Sequence, residues 1–439
     1  MRRPSESTTV EARQFLTHSL AAGVGTLLAG GLGFLLQAAV SHRFSPAQFG
    51  GAFVVLSLVT VVSFMASPFT RLIVWNTSRD TVWSDGQSDE HAALLRATHN
   101  SLRLVGVGLA VACWLVAPLI AGFLRVPGSF VVAGALGLPF ALPNSILMGE
   151  LQGEQRFVTW ALLSIGQALA KLSAAVAFGI AFGATGVLLG ISVATAVTYA
   201  ITWALVRHRL RPVKLAADWR RARAFVLITA PSTLVVTGLL STDVILVKHL
   251  FPAHAAGQYA AVAALGRAIF WGMGGLTGVV FAKVGVRDAQ RRSTFGVVTA
   301  SVGLALLCGV AGLLIFTLTG KALLTAFAGK NYASGESYVG VYALGMTLFG
   351  AVAVMINALQ SLGRTTLLWV TLPLSLIEPA LILLYHSSLL QVVQMMDVSM
   401  GIFVVALAIL YVFEERARLT GVPPPNPRPG RWAPLKPIS

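Results

Sequence analysis

The feature that most constrains this chain is the recurrence of apolar windows about 20 residues long, the length a helix needs to cross a hydrocarbon core of roughly 30 Å. Such windows can be placed about twelve times, near 17–40, 48–69, 101–124, 129–150, 158–181, 184–206, 224–247, 257–281, 295–318, 336–359, 366–386 and 394–413. A segment inside lipid has no water to satisfy its amides, so each window must close its hydrogen bonds internally as a helix. The predicted fold class is therefore an all-α polytopic membrane protein of about twelve transmembrane helices. Composition agrees, since 56% of the 439 residues are hydrophobic and 11% charged, too apolar a balance for a soluble chain of this size. The basic opening segment precedes an apolar region from Leu20 to Val40. That region outlasts the roughly 7–15 residues of a secretory signal core, so it is read as a first span that stays.

The net charge of +16 falls in clusters between the spans, which argues against nucleic acid as a partner and for anionic lipid headgroups and membrane orientation. With both termini cytoplasmic, Arg43, Arg125, Lys248, Lys321 and Lys330 lie outside, and Lys171 and Arg267 lie within spans. The rest of the 32 Lys and Arg residues are cytoplasmic, an asymmetry that supports the orientation. The densest cluster runs from Arg207 to Arg223 and separates two halves. The expected organisation is an N-lobe over 1–206, a basic cytoplasmic linker over 207–223, a C-lobe over 224–413 and a tail over 414–439. The tail contains VPPPNPRPGRW, too proline-rich to bury a core.

The halves read as copies. Phe44-Ser-Pro46-Ala47-Gln-Phe-Gly50 follows the first span and Phe251-Pro252-Ala253-His-Ala-Ala-Gly257 the seventh, 206 to 207 positions later. Leu151-Gln152 before Arg156 is matched by Leu359-Gln360 before Arg364, 208 positions later. Six spans per copy is an even number, so the copies share one membrane orientation and should be related by an axis along the membrane normal. The same offset sets Lys171 against Glu378 and, approximately, Gln37 against Asp243. Either these polar positions mark two related depths of a transport path, or a Lys171–Glu378 pair is purely structural.

Between Ala230 and Phe270 the spans carry Asp243 on the outgoing helix and Arg267 on the returning one. An ionisable group within a span costs at least about 2.5 kcal/mol at the helix centre. Two readings stand, a functional site or a salt bridge that pins two helices together. The run Asp243-Val-Ile-Leu-Val-Lys-His, the proline-led turn with Gly257-x-Tyr259, and Leu265-Gly266-Arg267 resemble the polysaccharide transporters of the multidrug/oligosaccharidyl-lipid/polysaccharide (MOP) exporter superfamily, in particular the O-antigen-type flippases. The resemblance implies two parallel, pseudo-symmetric six-helix lobes. It also implies a central opening formed mainly by the first, second, seventh and eighth helices, and a place in the bacterial cytoplasmic membrane. The implied cargo is an oligosaccharide on a polyprenyl diphosphate, moved during exopolysaccharide or O-antigen biosynthesis; a monomer is expected, since each half already supplies a pseudo-symmetric partner for the other. Polysaccharide polymerases or glycosyltransferases are the implied protein partners. Arg267, Lys171, Gln37 and Asn357 are the expected substrate-binding residues, and Asp243 and Glu378 the expected ion-coupling residues.

Other classes fare worse. The histidines fall in predicted loops, termini or span ends without metal-ligand spacing, and Cys113 and Cys308 lie alone in separate spans. No cofactor or metal is expected; no phosphate-binding loop is present, so the chain is not expected to hydrolyse ATP and transport should draw on an ion gradient or on consumption of the product. Polymerases and ligases of the same pathways commonly need a large soluble domain or long external loop, whereas the longest external loop here, Gly320 to Ser334, is short. An ion-coupled small-molecule antiporter of the same superfamily is the alternative. A cation exporter wants carboxylates, and a diphosphate carrier wants Lys and Arg; the spans hold both. Gly274 and Gly278, spaced for close helix approach, and Pro139, Pro143, Pro231 and Pro379, each within an apolar span, fit a mobile bundle.

Overall fold

A computed structural model of the chain describes residues 4–83, 88–215, 219–273, 292–362 and 366–419, with Val280, Val284 and Arg287 as isolated positions. For 4–22, 79–83, 219–225, 228, 418 and 419 it describes the backbone alone. The proline-rich stretch of the predicted tail, Arg364, the Gly274–Gly278 pair and the side chains of Arg220, Arg221 and Arg223 lie outside the described residues.

Regular structure among these residues is helical throughout. The N-terminal half holds α1 (Pro4–Arg43), α2 (Pro46–Phe64), α3 (Ser67–Trp83), α4 (Asp89–Leu115), α5 (Ala117–Leu124), α6 (Gly128–Ala135), α7 (Leu138–Gly153) and α8 (Phe157–Val206). The C-terminal half holds α9 (Trp219–Leu250), α10 (Ala253–Gly272), α11 (Phe295–Ala328), α12 (Glu336–Ser361), α13 (Thr366–Leu374), α14 (Ile377–Leu384) and α15 (Leu389–Leu419). Among the described residues nine helices are long and apolar enough to cross a membrane, and a tenth crossing is the pair α4–α5, bent by 65°. Of the other expected windows, the sixth lies in the second half of α8, which is broken midway, and the eighth coincides with α10, a 20-residue helix buried along most of its length.

Local chemistry sets the breaks. Within α8, Phe182 leaves helical geometry and Gly183 adopts φ +65°, a conformation open to glycine and strained for other residues. That single reversal divides the fifth span from the sixth. Ser45 caps α2 by accepting from the Gln48 amide, Gln48 returns a bond to the Ser45 amide, and Pro46 opens the helix where no amide donor is missed. The second span does not end near residue 69; α2 stops at Phe64, turns through Met65 and Ala66, and α3 continues to Trp83. Of the four prolines expected to interrupt spans, Pro139 and Pro379 stand in the first turns of α7 and α14, at real breaks, whereas Pro143 and Pro231 sit inside continuous helices. At the α6–α7 break the Gly137 amide turns to Gly134, and the freed Ala133 carbonyl accepts from Ser192 Oγ at 2.7 Å.

The helices pack as two lobes. In the first, α7 is the hub for α3, α4 and α8, and α1 lies along α8; in the second, α12 is packed by α10, α11 and α15. The lobes meet mainly where α2 lies on α9 and α10, α3 on α9, and α1 on α10 and α11. At the end opposite the α1–α2 turn, Arg71 Nη1 on α3 donates to Gln360 Oε1 on α12 at 3.0 Å, a second link between the lobes.

Candidate functional site

Asp243 and Arg267, the two charges carried between Ala230 and Phe270, meet at the lobe interface. Asp243 on α9 is 1% exposed and Arg267 on α10 is 8% exposed. Arg267 Nη2 donates to Asp243 Oδ1 at 3.2 Å, and the second carboxylate oxygen accepts from Tyr259 Oη at 3.0 Å and Tyr342 Oη at 2.9 Å. Asp243 thus has a donor on each oxygen, the condition under which a buried charge is tolerated. Gly266 makes the Tyr342 contact possible. A Cβ at that position would collide with Cδ1 of the Tyr342 ring, so the small residue before Arg267 lets the ring lie on the α10 backbone with its hydroxyl aimed at Asp243.

Arg267 also reaches across to the first lobe. Its Nη1 donates to Ser57 Oγ on α2 at 3.4 Å, and its guanidinium carbon lies 5.1 Å from the centre of the Phe53 ring. That distance is within the range of a cation–π contact, which strengthens when desolvated. Arg267 Nε is buried without an acceptor among the described residues. One side chain therefore carries an ion pair in its own lobe and two weaker contacts in the other.

Glu378, on α14, is fully buried and within electrostatic reach of Asp243 and Arg267. Neither of its oxygens meets a hydrogen-bond donor among the described residues. Asp397 on α15 presents a similar unmatched oxygen, packed against Gly345 of α12. Asp397 stands near the start of the twelfth apolar window, and sequence reasoning passed over it.

The remaining expected residues do not join this cluster. Lys171 on α8 forms no ion pair with Glu378, so the pairing suggested by the repeat offset is absent, and it has no hydrogen-bond partner among the described residues. Gln37 on α1 keeps a buried Oε1 without a donor. Asn357 donates through Nδ2 to the Ala353 carbonyl one turn earlier, at 2.8 Å, and is engaged with its own helix. Nor does Arg267 line an open vestibule; the contact of α2 with α10 closes over it.

A second buried polar cluster was missed. Glu150 on α7 accepts from Thr77 Oγ1 at 2.7 Å and pairs with His91 Nε2 at 3.0 Å, joining α3, α4 and α7. His91 reads as a loop residue by hydropathy, yet it is 4% exposed and lies in the first turn of α4, capped by Ser88. The signal available in sequence was Glu150, an acid at the very end of an apolar window.

Neither a protein-family model nor a curated protein matches the sequence. Solved structures do. An inward-facing multidrug-resistance MATE-family transporter of the MOP superfamily superposes with a TM-score of 0.73 at 11% identity, covering 92% of this chain and 98% of that one. The lipid II flippase MurJ in an inward closed conformation gives 0.69 at 12% identity, covering 92% and 90%. A MOP-superfamily transporter from Pyrococcus furiosus, described as having a binding pocket of reversed polarity, gives 0.63 at 12% identity, covering 92% and 96%. At these identities the likeness is one of fold, and on that ground this chain has the architecture of the MOP-superfamily transporters.

Proposed function

We propose that the chain is a flippase that moves an oligosaccharide linked to a polyprenyl diphosphate across the bacterial cytoplasmic membrane, with both termini on the cytoplasmic side. The observation that carries this reading is the position of Arg267, a buried guanidinium at the contact of two lobes. Lobes that rock about their interface, as repeat-built transporters do, would uncover that group on one side of the membrane. Its planar fork can then give two parallel hydrogen bonds to diphosphate oxygens in a site from which water is largely excluded. The likeness in fold to a lipid II flippase supports a lipid-linked cargo.

Ion coupling falls to Asp243 and Glu378. Taking an ionised carboxylate out of water costs several kcal/mol, and among the described residues Glu378 has no donor to offset it. A cation or proton shared between the two carboxylates would compete with Arg267 for Asp243 and leave the guanidinium available to an anion. A second reading, an ion-coupled antiporter of organic cations, draws on the same carboxylates and on the likeness to multidrug transporters. Lys171, Gln37 and Asn357 remain proposed contacts for the sugar or lipid.

Reconstitution into liposomes tests the choice. The flippase reading expects a polyprenyl diphosphate–oligosaccharide to become accessible to an external glycosidase only when protein is present. Gradient-driven movement of organic cations, with no exposure of the lipid-linked sugar, would replace it with the antiporter.

A further inference from the structure

At one point in the lobe interface, two repeat-related positions meet each other. Gly50 and Gly257 are 207 positions apart, the offset that relates the halves, and their backbones touch. A Cβ on Gly50 would lie 2.6 Å from the Gly257 Cα, and one on Gly257 would fall into the main chain of Pro46. Repeat-related residues in mutual contact lie on the pseudo-two-fold axis itself. One turn and two turns along α2 from Gly50, on the same face, stand Phe53 and Ser57, the residues that cover Arg267. The crossing of α2 with α10 therefore lies directly over the charged site, toward the face that carries the α1–α2 and α9–α10 turns.

Neighbouring links on that face also run between the lobes. Ser41 Oγ on α1 donates to the Phe327 carbonyl of α11 at 3.2 Å, and Tyr332 Oη donates to the Phe44 carbonyl at 3.3 Å while its ring meets Phe49 edge-on at 5.9 Å. His249 stacks on Phe123, ring centres 4.2 Å apart, and bonds to its carbonyl at 2.8 Å. These are hydrogen bonds and ring contacts, not ion pairs, around a backbone-to-backbone centre. Such an interface can part without stranding a buried charge.

We infer that Gly50 and Gly257 form the centre of a gate on the pseudo-two-fold axis, whose parting withdraws Phe53 and Ser57 and uncovers Arg267 toward the turn face. The inference rests on the flippase reading only for what then binds Arg267; the gate itself is independent of the cargo. It also assigns Phe53 and Ser57 as positioning residues, which hold the guanidinium while the gate is shut.

Thiol accessibility reads the gate without any substrate. In a background carrying Cys113→Ala and Cys308→Ala, Ser57→Cys reports whether the contact is open to a hydrophilic maleimide in detergent. Gly257→Val should raise its labelling rate tenfold or more, because the added atoms drive Pro46 and α2 away. Gly238→Val, where an added Cβ meets no atom within 4 Å, should leave the rate unchanged. Equal labelling in a monodisperse Gly257→Val protein, or the same rise in Gly238→Val, overturns the gate. If Gly257→Val does not fold, Gly50→Ala, which adds one methyl against the Gly257 backbone, carries the same expectation and the same contrary result. Loss of transport in Arg267→Ala with labelling unchanged would separate failure at the charged site from failure of the gate.

Discussion

At the scale of residues, the Asp243 carboxylate is the node on which the buried cluster depends. Removing one of its two hydroxyl donors by Tyr342→Phe leaves Tyr259 and Arg267 in place and should cost roughly 1.5–3 kcal/mol, the range for a hydrogen bond to a charged group, read as a lowered Tm in detergent. Asp243→Asn is expected to cost more, about 3–5 kcal/mol, because it leaves the Arg267 charge buried without its counter-ion. It should also abolish the response of transport to Na⁺ or proton gradients; an unchanged gradient response would remove Asp243 from the coupling role. Asp243, Arg267 and Glu378 were legible from sequence because a charge within an apolar window is rare. Tyr342, Ser57 and Phe53 were not, because small hydroxyl and aromatic side chains are ordinary in spans, and no periodicity encodes a contact such as Ser57–Arg267 across 210 positions.

At the scale of elements, two glycines set geometry that the site needs. Gly266→Ala places a methyl against the Tyr342 ring, so the hydroxyl should leave Asp243, and the variant should match the stability loss of Tyr342→Phe or exceed it. A Gly266→Ala protein with unaltered Tm would show that the ring has room to move. Gly183→Val tests the turn that divides α8. A β-branched residue at φ +65° is strained by a few kcal/mol, and thermal unfolding should shift down accordingly. Helix existence was plain from hydropathy, but the ends were not. The second window hid a turn at Met65–Ala66 and the third a 65° bend ahead of Pro118, since both lie within continuous apolar sequence. The Ser45–Gln48 capping box starts α2 at Pro46, ahead of the window placed from residue 48.

At the scale of the molecule, the duplicated motifs found in sequence acquire a physical meaning, because the glycines that end them touch on the axis relating the lobes. The offset was less informative for polar residues. Lys171 and Glu378 occupy matching positions without forming a pair, as expected of residues related by a symmetry axis but not lying on it. The account's central claim is that Arg267 grips a diphosphate and does not merely neutralise Asp243. The measurement that tests it most directly is the amount of lipid-linked sugar exposed on the outer leaflet by Arg267→Ala, Arg267→Lys and the Arg267→Ala, Asp243→Ala double variant, with insertion verified for each. The account predicts no export for Arg267→Ala, partial export for Arg267→Lys, which keeps the charge and loses the fork, and no rescue in the double variant. Restored export when both charges are removed would contradict it and leave the pair as a structural salt bridge.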